Sequence, residues 1–588
     1  MLVFRAISTV VVSLAVASAS LRAQVTDVRG VTPESAGPNV TTLKAAQLEF
    51  EGFRRDHLPT MSISRGGGSG SCDEQVGRFC YWYDERSAPP PREPESIRDA
   101  RIRLIARLDS NAKARPGERW TSGQLVRYLV EAEQFTDAIA AAQRCKVDGW
   151  WCFALQGFAL HMADRYREAD SSFAIALAVM PEKERCDWRD LKLVLDDDLL
   201  KDYRDLNCTR RVAFERRVWW LARPMLSSAG NDARSEYYAR LMYARFLEDA
   251  PSVHTLGFDE DEDERELSLR YGWAREFTRE GGALGGKGGI TGHEPTPAHP
   301  MLPMAASVRN PALSDSLGWR GKGLPGVRAR YHADYARRLL ALPHQSALFR
   351  RGDTAVVVLA YDVDSEAAFP AAVKAKNMTA ALVLTRGEES DATIVRVDAP
   401  QTRGTIVARS AWGPMLLSAE FAAPDAHILS RARYGLRASD MIGSRVQVSD
   451  LLIFEPYTDM PDRLEDVIPH ARAGVSMKPD AKIGIYWETY NTRPTGEGMQ
   501  VSITVAPEET PGGENWLRKG LTALRLIREA KPVSVGMSDV SARGLGYTPR
   551  SVVVDLTSLK PGRYVLELEV TAEGTIPVRA SRVIVISR

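Results

Sequence analysis

Nine histidines are the scarce acid–base reagent in this chain of 588 residues. Only His293, Glu294 and His299 gather, in Gly292-His293-Glu294-Pro295-Thr296-Pro297-Ala298-His299. A helical zinc motif needs two histidines four residues apart on one face. Here the spacing is six, and the two prolines exclude a helix. The cluster reads as a polar loop, and a loop metal site serving a metal-assisted hydrolase is the alternative. Carboxylates at alternate positions in Asp259–Glu264 suggest calcium, but the loop lacks the sixth-position Gly and twelfth-position Glu. A helix start fits that acidic run better. Gly66-Gly67-Gly68-Ser69-Gly70 has neither the spacing of a nucleophile elbow nor the Gly-Lys-Ser/Thr ending of a phosphate loop. Arg351-Gly352-Asp353 reads as a turn opening a strand. No residue is therefore assigned as catalytic, cofactor-binding or metal-ligating, and no cofactor is expected.

Six cysteines supply the remaining chemistry. They fall as Cys72 with Cys80, Cys145 with Cys152, and Cys186 with Cys208. No C-x2-C pair occurs, so zinc and redox readings are weak, and disulfides between neighbours are expected. Six cysteines allow about 15 connectivities, and spacing alone does not choose among them.

These groups must be positioned by elements of two kinds. Residues 24–95 read as mostly irregular, with a glycine-rich linker at 65–71 and a helix over 42–54. Residues 96–250 read as helical. Ile102, Leu104, Ile105 and Leu108 form an apolar face. Glu133-Gln134-Phe135-Thr136-Asp137-Ala138 recurs as Asp164-Arg165-Tyr166-Arg167-Glu168-Ala169, offset by 31 residues. That is helix–turn–helix periodicity. Helices over 97–112, 212–223 and 234–248 are expected to flank it. The pairs Trp150-Trp151 and Trp219-Trp220 read as core, with sugar or base stacking as the alternative. Residues 251–343 read as an irregular connector. Beyond it the period becomes two, giving a β-rich module over 344–456 and a second over 470–588. The fold class is multidomain α + β, with helices followed by antiparallel β-sandwich modules.

Three resemblances follow from particular residues. Phe153, Gly157, Ala169, Phe173, Ala176 and Pro181 stand as in a tetratricopeptide repeat, with Leu160 in place of its usual Tyr. Trp219-Trp220, Arg223-Pro224, Asn231, Glu236-Tyr237-Tyr238-Ala239-Arg240 and Leu269-Arg270-Tyr271-Gly272-Trp273 resemble exported bacterial GWxTD-domain proteins. Arg275-Glu276 replaces the Thr-Asp of their signature, and that resemblance transfers no catalytic residue. Leu559-Lys560-Pro561-Gly562-Arg563-Tyr564 resembles the turn before a terminal strand of fibronectin-III or immunoglobulin-like modules, a mark of fold and not of function.

Residues 1–23 read as a signal peptide. Arg5 precedes an apolar run, Ile7–Ala19, too short to span a bilayer comfortably, and cleavage is expected after Ala23 or after Ala19. No later run is long enough to span. Lys and Arg number 77 against 76 Asp and Glu, a net charge of +1 that argues against a bulk nucleic-acid binder. Hydrophobic residues at 44% and charged residues at 26% are those of a globular chain. The expected function is that of an exported, periplasmic or extracellular scaffold that binds a protein or peptide partner. Its groove residues are expected to be Tyr128, Trp151, His161 and Arg165. Carbohydrate binding by the β modules is a third reading.

Overall fold

The computed structural model describes residues 39–61, 74–81, 89–257, 261–281, 287–293, 299–319, 328–365, 369, 377–438, 446–457, 460–478, 481–493, 496–508, 533–542 and 546–587. Residues 1–23, read above as a signal peptide, the expected linker at 65–71, Cys72 and the side chain of Cys80 lie outside that description, and with them the expected first disulfide.

Helices come first. They are α1 (Val40–His57), α2 (Glu95–Ala114), α3 (Arg119–Glu131), α4 (Phe135–Arg144), α5 (Trp151–Met162), α6 (Tyr166–Val179), α7 (Glu182–Trp188), α8 (Asp197–Tyr203), α9 (Cys208–Ala222), α10 (Asp232–Glu248) and α11 (Glu262–Tyr271). Polar caps start several of them. Glu118 accepts from the Trp120 and Thr121 amides, Asn207 from Arg210, Asn231 from Arg234, and Asp261 from Glu264. The acidic run thus supplies a helix cap and first turn. The 31-residue repeat is also a repeat of geometry. Glu133 and Asp164 both take left-handed backbone, at φ 57° and 58°. The Gln134 amide donates to Leu129 O, and the Arg165 amide to Leu160 O. Both turns therefore close with the same six-to-one bond. Across the α5–α6 hairpin, a Cβ on Gly157 would lie 2.9 Å from the Phe173 ring, so only glycine admits this approach. Disulfides join Cys145 to Cys152 and Cys186 to Cys208.

Ile102 departs from expectation. It is 53% exposed, and the buried stripe of α2 runs through Ile97, Arg101, Leu104, Ile105 and Leu108. An arginine occupies the place of an apolar residue because carboxylates wait opposite it. The connector is also more ordered than its composition implies. Besides α11 it holds β4 (Glu276–Gly281) and β5 (Lys287–His293), which extend β1 (Thr60–Met61) into a small sheet, and the short α12 (Ala305–Arg309). A hairpin of β2 (Glu74–Val76) and β3 (Phe79–Tyr81) lies on α11, with Tyr81 stacked on Tyr271.

Four further sheets stack in sequence behind the helices. The first has the order β10 (Thr393–Asp398), β9 (Thr379–Thr385), β12 (Met415–Ala423), β13 (Ile428–Leu436), β6 (Arg338–Ala341). The second is β11 (Arg403–Ala411), β8 (Thr354–Asp362), β7 (His344–Arg351). The third is β14 (Gln447–Val448), β17 (Lys482–Tyr490), β15 (Leu452–Phe454), with β20 (Tyr547–Asp555) also paired to β17; the short α13 (Leu464–Val467) packs beside it. The fourth is β16 (Ser476–Met477), β22 (Val578–Ile586), β21 (Gly562–Ala572), β18 (Gly498–Pro507), β19 (Val533–Val540). Pairing is antiparallel apart from β6 with β13 and β16 with β22.

Period two explains the stacking. Odd positions of β12 and even positions of β13 enter the core between the first two sheets. Leu416, on the opposite face of β12, joins the helical core. In β8, Ala355, Val357, Leu359 and Tyr361 face the first sheet, and Val356 and Val358 face the third. Ile483, Ile485 and Trp487 of β17 enter the last sandwich core, and Tyr486 turns back toward β8. Arg351, Gly352 and Asp353 form the β7–β8 turn, with Gly352 at φ 60°.

Candidate functional site at the junction of helices and sheets

The four residues expected to line a groove are divided by the structure. Tyr128 is buried, donates to Glu51 at 2.8 Å and accepts from Gln47 at 3.0 Å. Trp151 is buried edge-on to Phe246, with its Nε1 3.4 Å from Ser122 Oγ. His161 is buried, with Nδ1 2.9 Å from Ser235 Oγ and Nε2 2.6 Å from Glu236. Arg165 is exposed and pairs with Glu168. The inner face of the hairpins is thus filled by the chain's own α1 and α10. The reason is bulk, because α10 brings Tyr237, Tyr238, Tyr243 and Phe246 into the helical core.

Ser235, His161 and Glu236 form a row that suggests nucleophilic catalysis, but its details argue otherwise. Ser235 is fully buried and its hydroxyl donates to Asp232 O at 3.1 Å. The single hydroxyl proton of Ser235 is thus directed at a backbone carbonyl, and the burial of Ser235 and His161 keeps a substrate from reaching them. Glu236 in turn receives Arg240 Nε at 2.7 Å, and Arg240 donates to the carbonyls of Leu269 and Arg330. Burial would raise the Glu236 carboxyl, but Arg240 and His161 outweigh it and hold it well below the usual range. The residues spaced from Trp219 to Trp273 meet in this region. Asn231 donates to Trp219 O at 2.7 Å, Gly272 ends α11 at φ 90°, and Trp273 stacks on Tyr243.

A second buried network joins α1, α2 and α3. Arg54, Arg101 and Arg127 are opposed by Glu51, Glu93 and Glu131, with Arg127 to Glu131 at 2.9 Å, Arg54 to Glu131 at 3.0 Å and Arg101 to Glu93 at 2.5 Å. Burial alone would raise Glu131, yet Arg127, Arg54 and Arg101 bring it down to about 2. A third network sits between the second and third sheets. Arg351 grips Glu488 with two nitrogens, at 2.5 and 2.7 Å, and Tyr486 and Tyr490 donate to the same carboxylate.

The junction itself carries the fourth. Arg433 is fully buried and caps the end of α9, donating to Leu221 O at 3.0 Å, Arg223 O at 3.1 Å and Pro224 O at 3.3 Å. The partial negative charge of a helix C-terminus favours this arrangement. Glu420 lies 3.5 Å from Arg433 and accepts from Leu226 N, Ser227 N, Ser227 Oγ and Ser418 Oγ at 2.7, 3.1, 2.5 and 2.6 Å. Arg431, two residues before Arg433, donates to Pro224 O at 2.9 Å and Trp319 O at 3.4 Å. Burial pulls both guanidiniums below their usual range.

Beside these arginines lies a cavity of about 60 Å³. Leu221, Leu302, Trp319, His332, Leu429 and Arg431 are among its walls. His299 also lines it, with Nε2 3.1 Å from both Leu339 N and Arg337 O. His293 is elsewhere, on β5, with Nε2 2.7 Å from Thr278 Oγ1. Residues 294–298 lie outside the described residues. Among the described residues no group of three or more His, Cys, Asp and Glu is placed to hold a metal, and no helix is long and apolar enough to cross a membrane.

Sequence reasoning missed all four networks. The available signal was a charged residue inside an apolar pattern: Arg101 in the α2 stripe, Glu420 in a strand of nine otherwise mostly apolar residues, Arg431 and Arg433 at alternate positions of β13.

The class defined by the fold is a multidomain α + β protein with stacked antiparallel and mixed sheets. No protein-family model matches the chain, and no curated protein matches it. Solved structures give only faint similarities. A red sea bream transglutaminase shows 11% identity over 43% of this chain and 32% of its own, at TM-score 0.14. A Bacteroides uniformis β-glucuronidase shows 8% identity over 40% and 26%, at TM-score 0.16. An elastase-activated Escherichia coli α-2-macroglobulin shows 12% identity over 41% and 22%, at TM-score 0.15. The chain therefore spans at most about a third of the length of these structures.

Proposed function

We propose that this chain is an exported cell-envelope scaffold that binds a protein partner through its helical hairpins. The repeated turns are those expected of tetratricopeptide-like units, and the residues around Trp273 keep their likeness to GWxTD-domain proteins. The two disulfides, with the signal-like start of the sequence, support an oxidising compartment. With the inner face occupied by α10, the contact surface is the outer one. One observation carries this reading: Phe153, Ile175 and Val179 are 38%, 46% and 50% exposed. Ile175 and Val179, one turn apart, form an apolar strip on the outer side of α6.

The test is site-specific photo-crosslinking in intact cells. A crosslinker at Ile175 is expected to capture one discrete partner, whereas one at Lys113 on α2 does not. Ile175→Glu with Val179→Glu is expected to abolish capture by a crosslinker at Phe153, with helicity unchanged. Equal capture from both sites, or none from Ile175, would count against the proposal.

A further inference from the structure

Arg431 is a guanidinium of the junction that meets no carboxylate among the described residues. Arg433 lies close to it and Arg223 close to Arg433, and the carboxylates in the same field are Glu420 and Asp232. Three cations face two anions. Glu420 is already shared by Arg433, two serine hydroxyls and two backbone amides. Asp232 receives the Tyr335 hydroxyl at 3.0 Å. Arg234 is matched separately by Asp170 at 2.7 Å. Among the described residues no carboxylate lies within ion-pair distance of Arg431, whose bonds run to two carbonyls, Pro224 O and Trp319 O. A guanidinium has five N–H donors, so Arg431 keeps donors to spare. Pro224, Trp319 and Arg431 all line the cavity, which places that donor set on its wall.

The rest of the wall sets the size and character of a ligand. Leu221, Leu302, Leu339 and Leu429 make it largely apolar. His332 adds a polar atom, for its Nδ1 is buried without a hydrogen-bond partner among the described residues. The volume of about 60 Å³ is well below the roughly 150 Å³ of an engineered cavity that admits benzene. Only a few heavy atoms fit. A half-buried guanidinium with no carboxylate partner among the described residues calls for a planar anion able to take two parallel hydrogen bonds, and apolar walls call for a short hydrocarbon tail.

We propose that the junction cavity binds a short-chain monocarboxylate, of the size of acetate or propionate, with its carboxylate on Arg431 and its tail against the leucines. Such a ligand would neutralise the excess charge at the seam between the helices and the first sheet. Binding would therefore couple to the docking of those two parts.

The test uses the full chain and isotope-labelled propionate, followed by NMR at fixed chloride, with propionamide as the neutral isostere. Propionate is expected to bind about ten- to a hundredfold more tightly than propionamide, the worth of a charge-assisted pair. Hexanoate is expected to be excluded by size. Arg431→Met should remove the preference for the acid over the amide. Leu339→Trp, which fills the cavity and leaves the charge in place, should abolish binding of both. Equal binding of acid and amide by the wild-type chain overturns the proposal without recourse to any variant. So does full displacement by equimolar chloride, unchanged binding in the folded Leu339→Trp variant, or no binding of propionate at all.

Discussion

Replacement of Glu420 by alanine tests whether the helices and sheets are held by a specific polar seam or by apolar contact alone. The wild-type carboxylate accepts from Leu226 N, Ser227 N, Ser227 Oγ and Ser418 Oγ and balances Arg433, all within 3.5 Å. Alanine leaves a buried guanidinium without its anion, and breaking such a pair costs about 3–5 kcal/mol. The unpaired Leu226 and Ser227 amides add to this, at about 1–3 kcal/mol for each group that water does not reach. Arg433→Met is expected to cost less. It leaves Glu420 with four donors and deprives only the carbonyls of Leu221, Arg223 and Pro224. The double variant should then be more stable than the sum of the singles by about 2–3 kcal/mol, because removing the arginine relieves the charge that the alanine exposed. Denaturant unfolding followed by tryptophan fluorescence reads this, since Trp319 lies 5.2 Å from the Arg433 guanidinium. A Glu420→Ala cost under about 1 kcal/mol, the value of a surface pair, would refute the argument. So would strict additivity in the double variant.

Further expectations concern other parts of the molecule. The Glu131 carboxyl is held near 2 against an ordinary 4.5, so its contribution is present above pH 4.5 and lost as the pH falls toward 2. Acid titration of far-ultraviolet dichroism should show helix loss starting in that window, and Glu131→Gln should remove on the order of 3 kcal/mol at neutral pH. Glu215 is the opposite case, pushed up to about 8 by burial, with Arg189 and Arg211 only partly opposing. Its wild-type cost grows as the pH rises from 4.5 to 8, so Glu215→Gln should be the more stable protein at pH 9, by on the order of 4 kcal/mol, and show little difference at pH 4. Gly157→Ala places a Cβ 2.9 Å from the Phe173 ring and should cost about 1–3 kcal/mol in thermal unfolding. Gly435→Ala would meet Ala312 O at 1.9 Å. It should free the 311–319 segment from β13 and raise its amide exchange, with the last sandwich unaffected.

What the sequence revealed and what it hid separate along a physical line. Period two revealed that the chain after 344 is built of strands, because one buried face imposes strict alternation: Ile483, Ile485 and Trp487 alternate into one core. Small residues at Gly157, Ala169 and Ala176 exposed the helical hairpin for the same local reason. The connector was misjudged because its order is tertiary. Gly435 N donates to Ser314 O, and Arg240 reaches Arg330 O across 90 residues. The groove was misjudged because periodicity reports that Tyr128 and His161 lie on one face, not whether α1 and α10 return to cover it. The arginines were hidden most completely. A guanidinium enters a core only when its partners arrive from distant segments, as Glu93 and Glu131 do for Arg54, or as Glu420 and the end of α9 do for Arg433. Balanced composition concealed this, since 77 basic against 76 acidic residues look the same whether they meet water or one another. It follows that in this molecule the informative charged residue is the one whose local pattern demands a hydrophobic one. Arg431 satisfies that criterion and, unlike Arg433, finds no carboxylate of the chain to meet it among the described residues.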